Sequence, residues 1–160
     1  AINKHSDVLF VAAAGNDGQN LSSKKSCPAD QSSPSNHIIS VGSYNALTQE
    51  GAIDPQSGHD DSPRPQDRKV DFMAAGVNIP VLGQTGILTP QTGSSISAGT
   101  VTRAAARMRM IDSSLTPKKI KEILCDTVTK KDYLTDTTRC GGVLNEHDAL
   151  VRVHELMTQN

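Results

Sequence analysis

The chain has 160 residues, of which 36% are apolar, enough for one domain with a hydrophobic core. Its 16 basic and 17 acidic residues are interspersed and give a formal net charge of -1, so no positive field favours nucleic acid or an anionic membrane. No apolar run approaches the roughly 20 residues that a membrane helix needs, and the first residues do not follow the pattern of a signal peptide. We therefore expect neither nucleic acid nor membranes as partners.

Three short apolar segments predict buried strands. Residues 8–14 form a continuous apolar run that ends in the turn sequence Gly-Asn-Asp-Gly, as expected for a strand covered on both faces. Residues 37–42 and 70–74 are two further short strands, the second of which stops at a glycine. Continuous apolar strands are typical of a parallel sheet between covering layers, so the predicted fold class is α/β, with a mostly parallel sheet in three layers.

Two polar segments and one hairpin lie between these strands and the helical half. Residues 19–36 and 49–69 are rich in polar residues and proline, and the second is predicted to be a long surface loop. Residues 79–82 and 87–88 flank a glycine-bounded turn and predict a hairpin.

The remaining segments have helical periodicity. Apolar residues recur at helical spacing from Ser95 to Ile111, so a long helix begins just after Gly93 and Ser94. Thr116 followed by proline is a helix start, and residues 147–157 form a terminal amphipathic helix after a short extended piece.

The three cysteines lack the close spacing of a zinc or redox motif. Cys125 and Cys140 flank a short polar segment and are either bridged, in an oxidising compartment, or buried free thiols. No metal ligand set is predicted.

Ser95 and Asn16 are the residues with the strongest indication of chemistry. A serine at the head of a helix lies near the positive end of the helix dipole, and its own N–H has no partner within the helix. Asn16 follows a buried strand, where its amide could point into a cleft at the carboxyl end of the sheet. Taken singly, each element is a weak indication, and plain helix capping and an Asx turn are the simpler interpretations of these residues.

The order of the motifs resembles the subtilisin-like serine endopeptidases, or subtilases, over nearly the whole chain. VLFVAAAGNDG (8–18) is similar to the family's Val-Ala-Ala-Ala-Gly-Asn segment, and VDFMAAGVNI (70–79) is similar to its Val-Asp-hydrophobic-Ala-Pro-Gly segment. The sequence at 27–46, the Gly-Ser-Ser at 93–95, the helices that follow and the Gly-Gly-Val-Leu-Asn at 141–145 occur in the family's order.

The resemblance implies that Ser95 is the nucleophile and that Asn16 donates to the oxyanion, while Ala13, Ala14 and Gly15 form one wall of the pocket for the substrate side chain. Small wall residues suggest a broad, mostly apolar specificity. The implied substrate is a protein or peptide, the implied location is secreted or extracytoplasmic, and no cofactor is assigned. Calcium is possible by family resemblance, with Asp60 and Asp61 as the nearest carboxylates, but no site is assigned to it.

The family's catalytic Asp and His precede the segment that matches 8–18. We therefore expect residues 1–160 to be the carboxyl-terminal portion of a peptidase domain, inactive in isolation and prone to self-association at its cut sheet edge. None of the histidines substitutes on sequence grounds.

The nucleophile segment also departs from the family's Gly-Thr-Ser-x-Ala-x-Pro at Ser94, Ser97 and Gly99, and Arg103 replaces a glycine. Two alternatives follow. One is an inactive relative that binds a peptide or protein in the old cleft. The other is an unrelated α/β ligand-binding domain, which the missing glycine-rich phosphate loop disfavours.

Overall fold

A computed structural model describes residues 2–48 and 52–159. The strands are β1 (Phe10–Ala13), β2 (Ile38–Asn45), β3 (Ala52–Ile53), β4 (Phe72–Ala75), β5 (Ile79–Leu82), β6 (Leu88–Gln91), β7 (Thr129–Lys130) and β8 (Gly142–Val143). The α-helices are α1 (Ser94–Ile111), α2 (Pro117–Asp126) and α3 (Glu146–Thr158), and short 3-10 helices occur at Ile2–Lys4, Ala29–Gln31, Pro65–Asp67 and Asp132–Leu134.

The main sheet is mostly parallel, which confirms the predicted α/β class. Its strand order is β1-β2-β4-β8-β7; β1, β2, β4 and β8 are parallel neighbours, and β3 and β7 pair antiparallel to β2 and β8. The predicted hairpin is formed by β5 and β6 as a separate antiparallel pair, and its second strand extends to Gln91.

Both faces of the central strands are buried, which explains their continuous apolar sequence. On one face, side chains such as Ile39 and Phe72 pack against all three α-helices. On the other face Ala12, Ala14 and Met73 pack beneath loops and 3-10 helices. Successive strand residues point to opposite faces, so a strand covered twice requires apolar residues at every position.

The predicted helices are present. Thr116 caps α2 by accepting a hydrogen bond from the Lys119 N–H at 3.2 Å, and proline occupies the first turn as expected. Among the described residues, no helix has the length and apolar character needed to cross a membrane.

The prediction of a surface loop over 49–69 was wrong for part of that segment. Residues 49–51 lie outside the described residues, but β3 joins the sheet and Asp60 and Arg68 are buried. Both of these buried side chains form internal hydrogen bonds: Asp60 accepts from the Lys69 N–H, and Arg68 donates to the Thr138 carbonyl. In this segment the polar residues Asp60 and Arg68 are therefore internal hydrogen-bonding groups, whereas the composition had suggested that they are exposed to solvent.

Cys125 on α2 and Cys140 before β8 form a disulfide, with their Cα atoms 5.4 Å apart. Cys27 is a free, exposed thiol. Of the two possibilities that the sequence left open for Cys125 and Cys140, the bridged one is present.

Candidate active site

Helix α1 begins at the carboxyl end of the sheet and carries Ser95 in its first turn. Gly93 precedes the helix with φ 148°, a backbone conformation that side-chain-bearing residues rarely adopt. Its N–H donates to the Gly76 carbonyl at 2.8 Å, which ties the start of the helix to the turn after β4. Ser95 itself is exposed. Ser95 is therefore at the surface, while the helix start that carries it is fixed to the turn after β4 by this hydrogen bond.

Asn16 reaches the same helix start from the end of β1. Gly15 has φ 105°, which turns the chain sharply after the strand. The Asn16 Oδ1 then accepts hydrogen bonds from the Ser94 N–H at 2.8 Å and from the Ser94 hydroxyl at 2.9 Å. The structure thus brings together Asn16 and the residue next to Ser95, which are 78 positions apart in the sequence.

These contacts determine which way the Asn16 amide points. A backbone N–H can only donate, so the amide atom that faces Ser94 must be the oxygen. The Nδ2 group is consequently on the other side, and within the described residues it has no hydrogen-bond partner. Asn16 is exposed, so this donor is available to a ligand.

A second free donor lies beside it. The first backbone hydrogen bonds at this end of α1 run from Ile96 N–H at 3.0 Å and Ser97 N–H at 3.4 Å to the Gly93 carbonyl. The Ser95 N–H has no acceptor in the described part of the chain, as expected for the first turn of a helix. Two unpaired donors at a helix start can stabilise a negatively charged oxygen.

Ser94 is the supporting residue whose importance the sequence did not reveal. Its hydroxyl contacts both the Asn16 Oδ1 and Gly15, accepting from the Gly15 N–H at 3.2 Å and lying 3.1 Å from the Gly15 carbonyl. A hydroxyl next to the candidate nucleophile is visible in the sequence, but its partners come from a strand that only folding places there. Ser94 therefore positions Asn16.

Behind the helix start, Gly76 is enclosed by polar groups. A Cβ at this position would overlap the Ser97 hydroxyl and crowd the Ser43 hydroxyl and the Gly93 carbonyl. Ser97, which replaces the family's alanine, donates to the Ala74 carbonyl at 2.9 Å. The substitution is therefore accommodated by a hydrogen bond to β4.

A pocket of about 100 Å³ is lined by Gly15 and Asp17, the residues on either side of Asn16 in the sequence. Of the predicted wall residues, Ala14 and Gly15 line the pocket. Ala13 does not line it, because it is the last residue of β1 and pairs with Val41. The remaining lining residues come mostly from the segment that follows the strand: Asp17, Gln19, Leu21, Lys24, Lys25, Ser26 and Gly58.

None of the histidines in the described part of the chain forms a hydrogen bond with Ser95. His37 packs its ring 5.7 Å from that of Phe10, His59 belongs to a loop beside Asn20, and His147 and His154 lie on α3. No hydrogen bond joins the Ser95 hydroxyl to any side chain within residues 2–48 and 52–159.

The carboxylates considered for calcium have other partners. Burial alone would raise the pKa of Asp60, but hydrogen bonds from the Ser22 hydroxyl and from the backbone N–H groups of Ser62 and Lys69 hold it below its usual value. Asp61 accepts from the Asn20 side chain. In the described ranges, no group of three or more His, Cys, Asp or Glu side chains could hold a metal ion.

Comparison with known proteins shows the same fold. The sequence pattern described as the subtilase family matches residues 1–142. Among solved structures, the chain is similar to the subtilase cytotoxin SubAB, with 22% identity and a TM-score of 0.80 over 97% of this chain and 52% of that one. It is also similar to the A-subunit of the AB5 toxin from E. coli, with 24% identity and a TM-score of 0.80 over 94% and 52%.

A third similar structure is the prenylagaramide maturation protease PagA, with 25% identity and a TM-score of 0.68 over 94% of this chain and 52% of that one. No curated protein matches the chain. The chain spans about half the length of the solved structures that it resembles.

Proposed function

Since this chain belongs to the subtilase family, we propose that it is the part of a serine endopeptidase that carries the nucleophile, Ser95, and the oxyanion donors, the Asn16 Nδ2 and the Ser95 N–H. The observation that carries this proposal is the 2.8 Å hydrogen bond from the Ser94 N–H to the Asn16 Oδ1. It holds the asparagine against the start of α1 and turns its amide donor away from the helix.

In the proposed reaction the Ser95 oxygen attacks a peptide carbonyl carbon while its proton passes to a base. The carbonyl electron pair moves onto oxygen, and the two donors stabilise that charge. Each such donor lowers the barrier by roughly 3 to 4 kcal/mol in enzymes of this type. Collapse of the intermediate expels the amine with the proton and leaves an acyl-enzyme, which water then hydrolyses.

The base, an imidazole oriented by a carboxylate in the family, would come from outside residues 1–160. We therefore expect the isolated chain to show no turnover of peptide substrates. The complete protein is the form in which the proposal is tested.

Among the departures of the nucleophile segment from the family pattern, Ser94 contacts Asn16 directly and supports it, whereas Gly99 and Arg103 are exposed positions further along α1. Gly99 is exposed, and a Cβ built there meets nothing within 4 Å. Arg103 is exposed and, with Arg107, pairs with Glu146 on α3. These observations favour the peptidase over the alternative of an inactive peptide-binding relative.

The test is labelling of the full-length protein with a fluorophosphonate. We expect a covalent adduct in the wild type and none in Ser95→Ala. Ser113→Ala is the matched control, because this exposed serine follows the far end of α1, an 18-residue helix about 27 Å long at 1.5 Å per residue. Labelling that survives Ser95→Ala would show that another residue is the nucleophile.

Three further expectations belong to this proposal. A protein or peptide is the substrate. The Cys125–Cys140 disulfide supports a secreted or extracytoplasmic location, because cytosolic thiols are kept reduced. The isolated chain self-associates, since β1 pairs with β2 on one side and has no second neighbour among the described residues. A sedimentation experiment that finds a stable monomer would contradict the last point.

A further inference from the structure

The pocket beside Asn16 is where the proposed reaction would place a substrate side chain. Ala14 and Gly15 line it and Asn16 follows them directly. The side chain of the residue whose carbonyl is attacked branches from the carbon next to that carbonyl. A substrate with its oxygen at the Asn16 amide would therefore direct this side chain toward the pocket, an argument that rests on the proposed function.

The lining of this pocket is charged, which differs from the apolar specificity suggested by its small wall residues. Lys24 and Lys25 both line it, together with one carboxylate, that of Asp17. None of the three forms an ion pair in residues 2–48 and 52–159. Both lysines are exposed, so neither ammonium group is neutralised by a carboxylate of the described residues, and the lining has two basic residues and one acidic residue.

Backbone hydrogen bonds hold the lysines at this place. The Lys24 N–H donates to the Asn20 carbonyl at 2.9 Å, and the Leu21 N–H donates to the His59 carbonyl at 2.9 Å. Leu21 is only 3% exposed and anchors the turn that precedes the lysines. The volume of about 100 Å³ suits one side chain.

We propose that Lys24 and Lys25 select an acidic residue, aspartate or glutamate, immediately before the bond that is cleaved. The substrate carboxylate enters the pocket and pairs with the ammonium groups, while the methylenes of the substrate side chain contact Ala14. Exposed ion pairs contribute modestly, so we expect the two lysines together to give a preference of about tenfold in affinity.

The experiment measures binding of fluorescent peptides to the full-length protein by anisotropy. The peptides are product-like and differ only in their last residue, which is Glu, Gln, Leu or Lys. We expect the Glu peptide to bind about tenfold more tightly than the Gln peptide at low salt, with a smaller ratio at high salt.

Charge reversal tests the assignment to the two lysines. In Lys24→Glu/Lys25→Glu the Glu peptide should lose its advantage and the Lys peptide should become the tightest ligand. Lys118→Glu, which reverses an exposed charge on α2, should keep the wild-type order. The single Lys24→Ala and Lys25→Ala variants, each expected to reduce the Glu-to-Gln ratio, serve if the double variant fails to fold.

Equal binding of the Glu, Gln and Leu peptides would overturn the proposal, as would absence of binding by all four. Tightest binding of the Lys peptide to the wild type would also overturn it and would show that Asp17 dominates. Fluorophosphonate labelling at Ser95 is measured separately. Loss of that labelling with an intact Glu preference would reject the nucleophile, whereas intact labelling without the preference would reject the lysines.

Discussion

Lys121 is a buried cation whose titration should make the stability of this protein depend on pH. Its side chain lies on α2 and the residue is 3% exposed. The Nζ lies 3.2 Å from the Asp71 Oδ1 and donates to the Ser33 carbonyl at 2.8 Å. Arg139 shares the same Asp71 oxygen. The group is therefore held among polar partners but is removed from water.

The pKa of Lys121 is lowered from 10.5 to about 8, chiefly because burial disfavours the charged form. The negative charge of Asp71 acts in the opposite direction, and the positive charge of Arg139 adds to the lowering. Between pH 8 and 10.5 the folded protein then binds fewer protons than the unfolded chain. The free energy of unfolding contributed by this group therefore rises with pH across that window.

At about 1.4 kcal/mol for each pH unit, the lowering corresponds to about 3 kcal/mol in total, of which between about 2 and 3 kcal/mol falls between pH 7 and 10. Replacement of Lys121 by methionine keeps most of the packed stem and removes the titration. The free energy of unfolding of the wild type minus that of Lys121→Met should accordingly increase by this amount from pH 7 to pH 10.

Urea unfolding at the two pH values measures this difference. Both proteins carry Cys27→Ser, so that the exposed thiol cannot attack the disulfide at high pH. Lys118→Met removes an exposed ammonium from the same helix and is the matched control. A wild-type minus Lys121→Met difference that stays constant within about 0.5 kcal/mol, or falls with pH, would refute the reasoning.

Three further predictions concern the site and its support. Ser94→Ala should lower kcat about fivefold to tenfold in the full-length protein with little change in KM, because Asn16 loses a hydroxyl contact worth about 1 kcal/mol. Ser94→Thr, which keeps the hydroxyl, should retain activity. Unchanged kcat in the alanine variant would contradict this prediction. Gly76→Ala should lower the free energy of unfolding by about 1 to 3 kcal/mol and should reduce Ser95 labelling, because the added Cβ meets two buried hydroxyls and the Gly93 carbonyl. Wild-type values in urea unfolding and in labelling would count against this prediction. Replacement of Cys125 and Cys140 by alanine should cost about 3 kcal/mol in urea unfolding, since the bridge closes a loop of 15 residues, and a cost near zero would show that the loop is ordered without it.

Several elements were predictable because their signals are local. The apolar run at 8–14 indicated the strand β1, although three of its four residues are only partly buried at the edge of the sheet. The helical spacing after Gly93 showed the start of α1 to within one residue. The threonine and proline before α2 also indicated its first residue. In each case the physical cause acts within a few residues of the chain, so the pattern is present in the sequence.

The polar interior was not predictable in the same way. Asp71 is fully buried with Arg139 and Lys121 as charged partners, and the chain positions of these residues are 68 and 50 apart from it. Charged residues are usually exposed, so composition alone indicates the surface for all three. Their burial follows from strand pairing and helix packing, which place the opposite charges in contact at a site removed from water.

By itself the sequence determined the main parallel strands, the three α-helices, the family resemblance and the two candidate residues, Ser95 and Asn16. Only the tertiary structure decided that the asparagine oxygen faces Ser94, which leaves its amide donor free, and that two lysines line the adjoining pocket. The physical reason is the separation along the chain over which each interaction acts. Propensity, periodicity and capping act over a few residues, whereas the contact between Asn16 and Ser94 depends on the parallel register of β1, β2 and β4 and on the turns that follow them.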